Sequence, residues 1–132
     1  MFYAKSFWSQ PFEKTLAEAP EAQGDQQAEE AVVVFYQAEA EDVGRETAVT
    51  AKLVKNVKWL AGKFGLKTVV LHSFGHLSTS KGPPEVAQAV VEAAREKLAA
   101  AGFAVDETPF GYLNEWKMHV AGPSLAKVFK EI

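Results

Sequence analysis

Apolar residues along this chain fall into two kinds of run, and they alternate. Ala31–Ala38 (AVVVFYQA) and Thr68–Leu71 (TVVL) are short and nearly continuous, which predicts strands buried on both faces. Between them Val49, Leu53, Val57, Leu60 and Phe64 recur at three- and four-residue steps. That spacing puts them on one face of a helix over Glu46–Phe64, with Gly65 as its stop and Glu39–Arg45 as the turn before it. Pro83 and Pro84 suit the first turn of a second helix, where a missing N–H costs nothing. Its inward residues are Val86, Val90, Ala94, Leu98 and Ala101, and Gly102 ends it.

The flanks are weaker. Met1–Phe7 reads as a strand, Pro11 punctuates it, and Phe12–Leu16 reads as a second, weaker strand. Glu18–Glu30 (EAPEAQGDQQAEE) is polar and acidic and predicts an exposed loop. Phe103–Val105 begins a strand, Asp106–Asn114 bends, and Trp116–Val120 alternates as a strand. Gly122 and Pro123 break the chain before a short terminal helix, Ser124–Lys130. The pattern gives an α/β fold over residues 1–132 as one domain: a mixed β-sheet, two long helices and a short C-terminal helix.

Composition narrows the function classes. A chain of 132 residues with 48% hydrophobic content fills one core. No apolar run approaches the ~20 residues of a membrane helix, and MFYAKSFWSQ lacks a signal-peptide plan. The chain has no cysteine, so disulfides and cysteine-ligated metals are excluded and a cytoplasmic location is expected. A net charge of -3 argues against a general nucleic-acid coat, while leaving room for a site that grips only an RNA end.

In α/β folds chemistry gathers in loops at strand ends. The loop His72–Ser80 occupies that position. Gly75 permits close backbone approach, and His72 and His76 are proton carriers near neutral pH. The bland alternatives are a structural His72 beside a buried strand, and Ser78, Thr79 and Ser80 as caps for the following helix rather than ligand hydroxyls. G-x-S-x-G, HEXXH and the P-loop pattern are all absent. A second candidate is Thr108–Lys117 (TPFGYLNEWK), where Phe110 and Tyr112 form either a wall able to stack on a base or a core-filling bend. Lys52, Lys55 and Lys58 sit on the outer face of the first helix, there to meet phosphates or simply to be solvated.

These segments together resemble the N-terminal editing domain of archaeal-type threonyl-tRNA synthetases. The resemblance runs through TVVL, the loop SFGHLSTS, the helix opened by Pro83 and Pro84, Ala101–Val105, the P-F-G-Y run Pro109–Tyr112, and G-P-S-L-A at Gly122–Ala126. It implies the D-aminoacyl-tRNA deacylase-like fold and hydrolysis of the ester joining serine to the 3′ end of threonine tRNA. Such correction is needed because one methyl group, worth ~1–3 kcal/mol, cannot exclude serine from a threonine pocket. In such domains backbone groups and the tRNA's own 2′-hydroxyl do most of the work. The resemblance implies His76 as the catalytic side chain. It gives Phe74, Gly75, Leu77 and Ser78 as one side of the pocket, and Phe110, Gly111 and Tyr112 as the opposing wall.

The chain departs from the family in two places. P-F-G-Y is usually followed by Tyr-Lys, but here by Leu113 and Asn114; L-A-E reads Leu125-Ala126-Lys127. Asn114 and Lys117 are therefore included among the substrate-binding candidates, with Lys117 or Glu115 as stand-ins for the lost groups. The expected partners are a mischarged tRNA at its aminoacyl end, a second copy in a homodimer, and a threonyl-tRNA synthetase in trans. No cofactor, metal or membrane is expected, and the chain reads as a freestanding editing factor or an excised domain. The alternative reading is a non-catalytic module of the same fold that binds tRNA ends or dimerises.

Overall fold

The computed structural model describes residues 1–132. Its strands are β1 (Phe2–Lys14), β2 (Gln26–Tyr36), β3 (Thr68–Ser73), β4 (Ala104–Glu107) and β5 (Tyr112–Val120). Helix α1 (Glu46–Phe64) lies between β2 and β3, and α2 (Pro84–Ala100) between β3 and β4. They form one mixed sheet in the order β4-β3-β2-β1-β5. β2, β3 and β4 are parallel, and β1 runs antiparallel to both β2 and β5. The crossover units β2-α1-β3 and β3-α2-β4 each place a helix between parallel strands, and both helices pack on the same core. No helix is long and apolar enough to cross a membrane.

The continuous apolar run in β2 has the expected cause: both its faces are covered. Val32 and Val34 join Val69 and Leu71 of β3 under Val57, Leu60, Val91 and Leu98 of the helices. Ala31 and Val33 face the other way, with Val70, Ala4 and Phe7. Leu60, Leu71 and Leu98 are wholly buried, each contributing about 1.5–3 kcal/mol of apolar burial. α1 occupies the range its periodicity predicts and ends at Gly65 in the left-handed conformation (φ 65°). Pro83 and Pro84 open α2 as predicted.

The second core exists because the sheet curls. The strands bend where the β1–β5 register shifts between Ala4 and Ser6 and where Glu30 on β2 takes φ 50°. The far half of the hairpin, with β5, folds back over the open face. Gln26 at the start of β2 thereby donates a 3.1 Å bond from Nε2 to the Glu107 carbonyl at the end of β4. The rings of Phe7 and Trp116 likewise reach within 5.8 and 6.3 Å of His72 on β3.

Three expectations change. Met1–Phe7 and Phe12–Leu16 are one long strand, β1, not two. Pro11 fits within it because pairing with β2 stops at Ser9, and a second register shift falls between Pro11 and Glu13. The acidic loop is shorter than predicted, since β2 already starts at Gln26. The C-terminal helix is a single 3-10 turn, Ser124–Ala126. Beyond it the tail is pulled out straight: Val128 N–H donates to the Met1 carbonyl (2.9 Å) and the Met1 amine to the Val128 carbonyl (2.8 Å).

Candidate functional site

The loop after β3 is fastened to the segment after β2. One side chain does most of this. The Gln37 carboxamide oxygen accepts the N–H groups of Leu77 (2.8 Å) and Ser78 (3.0 Å). Its amide nitrogen donates to the carbonyls of Ser78 (3.0 Å) and Ser80 (2.9 Å). Ser78 Oγ donates to Glu39 (2.6 Å), and Ser80 Oγ donates to Glu41 and accepts the Ala40 N–H, both at 3.0 Å. Backbone bonds from Phe74 to Tyr36 and from Gly82 to Ala38 close the two ends. The serines therefore bind the two loops together rather than capping α2, whose N-cap is Pro83 without a side-chain cap.

This fastening decides which amides remain available. The N–H groups of Phe74, Leu77 and Ser78 are taken, whereas those of Gly75 and His76 have no partner within the chain. Both residues are exposed. Two adjacent unpaired N–H groups at a loop tip are a donor pair for an oxyanion or carbonyl oxygen. The Lys81 ammonium donates to the Gly75 carbonyl (3.0 Å), steadying the turn from behind. The His76 ring stands edge-on to Phe74 at 5.2 Å, and Phe74 packs on Phe35 at 5.1 Å.

Two cavities adjoin this loop. A cleft of about 160 Å³ is lined by Ser73, Gly75, Lys81 and Phe110 together with Gln37 and Ala38. A larger cavity of about 640 Å³ is mostly apolar; Phe35, Phe74, Leu77, Trp116 and the tail from Lys127 to Ile132 contribute to it. Phe74, Leu77 and Ser78 thus border the large cavity, Gly75 and Phe110 both line the small one, and His76 lines neither.

The remaining predicted residues lie differently. Gly111 (φ 81°) and Tyr112 hold the acidic loop. The Gly111 carbonyl accepts Thr15 N–H (2.7 Å), and Tyr112 Oη donates to the Pro20 carbonyl (2.9 Å) while accepting Ala22 N–H (3.1 Å). A Cβ at Gly111 would come within 2.9 Å of Ala19 Cβ. Asn114 donates weakly to the Pro109 and Tyr112 carbonyls (3.4 Å each), and its Oδ1 is buried without a partner. Lys117 stacks over Trp8, its neighbour on β1, at 4.9 Å and borders neither cavity. Gln37, the residue that organises the loop, carries no motif; the one signal for it is a polar side chain set directly at the end of an apolar strand.

His72 is buried inside the curl. Its Nδ1 is 2.9 Å from Thr108 Oγ1, and Phe7, Phe35 and Trp116 surround the ring. Burial pushes the imidazole down to about 4. It is neutral at physiological pH, a structural group between β3 and the segment leading to β5.

With this geometry in view, the whole chain, residues 1–132, matches the family model described as the archaea-specific editing domain of threonyl-tRNA synthetase. The chain belongs to that family. It is 32% identical over 134 residues to the threonine–tRNA ligase of Hyperthermus butylicus, covering 97% of this chain and 21% of that protein. To the ligases of Methanoregula boonei and Thermococcus onnurineus it is 34% and 33% identical over 104 residues, or 79% of this chain and 17% of each ligase. The chain thus spans about a fifth of the length of these relatives. Membership of the threonyl-tRNA synthetase editing-domain family accounts for the mixed sheet and two helices, and it supports a role in tRNA proofreading. It also gives the two departures a location. Asn114 lies below the Pro109–Tyr112 turn, and Lys127 turns its ammonium onto the carbonyls of Gly122 (3.0 Å) and Pro123 (3.3 Å).

Proposed function

We propose that this chain is an aminoacyl-tRNA deacylase that hydrolyses the ester of a mischarged tRNA, with Ser-tRNA(Thr) as its main substrate. The observation that carries the reading is the pair of unpartnered N–H groups at Gly75 and His76, at the tip of a loop whose Gly75 lines, with Phe110, a cleft small enough for a seryl group. In this mechanism those amides polarise the ester carbonyl and hold the oxyanion formed when water attacks. The terminal 2′-hydroxyl of the tRNA orders that water, and His76, exposed at the loop tip next to Gly75, assists proton transfer. The cleft wall rejects the extra methyl of threonine. The protein works as a homodimer in the cytoplasm, where charged tRNA is used, alone or beside a synthetase.

The test is a deacylation panel with Ser-tRNA(Thr), Thr-tRNA(Thr) and D-aminoacyl-tRNAs. Serine release well above the buffer rate is expected; no hydrolysis of any member refutes the reading. His76→Ala should slow release more than Ser78→Ala, because Ser78 Oγ is already committed to Glu39. Equal rates for the two variants remove His76 from the chemistry. Light scattering at micromolar concentration tests the dimer.

One observation favours a second reading, a non-catalytic module that binds the tRNA end: Asn114 stands where the family resemblance gives a lysine, and its Oδ1 is unpartnered. Tight binding of a non-hydrolysable seryl-adenosine analogue without turnover of the panel would select this reading.

A further inference from the structure

We propose that the outer face of α1 is a phosphodiester-binding surface that carries the tRNA backbone next to its 3′ end; this rests on the tRNA-directed reading above. The charge distribution is uneven. Four lysines against one glutamate give α1 a net charge of +3, on a chain whose overall charge is -3. The three ion pairs of the structure are Lys14–Glu21, Arg45–Asp42 and Arg95–Glu107, so no α1 lysine is neutralised by a carboxylate. Lys52, Lys55, Lys58 and Lys63 are all exposed.

Their placement is directional. At 100° per residue Lys52, Trp59 and Lys63 fall on one stripe, with Lys55 on its flank. Trp59 is 39% exposed, unusually open for a tryptophan, and collects two cations: Lys63 Nζ lies 6.0 Å and Lys130 Nζ 5.4 Å from the ring centre. The ring thus holds an ammonium from the helix and one from the C-terminal tail side by side. The stripe also leads to the candidate site. Asn56, one turn from Lys52 and Trp59, lines the large cavity, as do Lys127 and Lys130. A row of unpaired cations ending at the rim of the apolar cavity beside the seryl cleft complements a polyanion whose last nucleoside enters that cavity.

The experiment measures the affinity of the full chain for a full-length tRNA(Thr) transcript across a salt series, comparing the native protein with the triple variant Lys52→Gln, Lys55→Gln, Lys63→Gln. Lys97→Gln on α2 serves as the control. The expected result is a loss of about tenfold or more in affinity and a fall of about 2 to 3 in the slope of log Kd against log salt, since each lysine–phosphate contact contributes ~0.9. Lys97→Gln leaves both unchanged. Binding of a seryl-adenosine analogue, which has no phosphodiester backbone, stays the same in all variants. Native-like affinity and slope in the triple variant overturn the proposal, as does failure of the native chain to bind tRNA. Lysine-dependent binding to phosphatidylserine vesicles without lysine-dependent tRNA binding overturns it too. If the native chain binds tRNA through these lysines but neither binds the analogue nor releases serine, the surface stands and the deacylase reading falls.

Discussion

His72 couples stability to pH in a way that a single substitution exposes. In the unfolded chain its imidazole titrates near the ordinary value of 6.5; in the native protein burial holds it at about 4. At pH 7.5 neither state binds the proton, and the group is without effect. As pH falls through 6.5 the unfolded state takes up a proton that the folded state refuses, so stability drops and keeps dropping until about pH 4. At 1.36 kcal/mol per tenfold difference in proton affinity, the full loss is about 3 kcal/mol. His72→Asn keeps a short polar group toward Thr108 Oγ1, now 2.9 Å from the ring nitrogen, but does not titrate. It leaves a small void among Phe7, Phe35 and Trp116, costing about 1–2 kcal/mol at every pH. Urea unfolding at half-unit steps from pH 7.5 to 4.5 should therefore show the variant less stable at neutral pH, with the gap closing and then reversing on the acid side. Glu107, whose carboxyl burial raises, stabilises in the opposite sense as pH falls, but it is present in both proteins and drops out of the difference. A gap that stays constant within about 0.5 kcal/mol across the range would refute the reasoning.

Two further outcomes follow from contacts around the loops. Gln37→Ala leaves the N–H groups of Leu77 and Ser78 without their acceptor. This should cost about 1–3 kcal/mol and speed amide exchange at those two residues while exchange in α1 stays unchanged; protection at Leu77 and Ser78 equal to the native level would contradict it. Gly111→Ala combines φ 81° with a 2.9 Å approach to Ala19 Cβ. It should lower stability by about 1–3 kcal/mol and make residues 15–25 more sensitive to a protease; an unchanged urea midpoint would show that the acidic loop yields freely.

The helical layer was legible in the sequence because its information is local. The three- and four-residue spacing from Val49 to Phe64, the stop at Gly65 and the proline pair before α2 each act within a turn or two of chain. The curl was not legible, because it depends on partners far away in sequence. Pro11 looks like a terminator until β2 is seen to stop short of it. Ser124–Lys130 reads as a helix until Met1 supplies the bonds that hold the chain extended at Val128. The site divides in the same way. His72–Ser80 was marked by glycine, histidine and its place at a strand end. That the fastening of this loop falls to Gln37, and that Gly111 and Tyr112 hold the acidic loop, depended on which segments the sheet brought together.

The position of β1 has a consequence for assembly. It is an interior strand of the sheet, flanked by β2, which follows it directly, and by β5, the last strand of the chain; Phe7 pairs with Met118. From β2 to β4 each element packs on one close to it in sequence, so that part can organise as soon as it exists. The outer edge of β1 has no partner until β5 has been made. Contacts of such long sequence separation belong to slow-folding topologies. The curl, and with it the pocket that holds His72, therefore depends on contacts between distant parts of the chain.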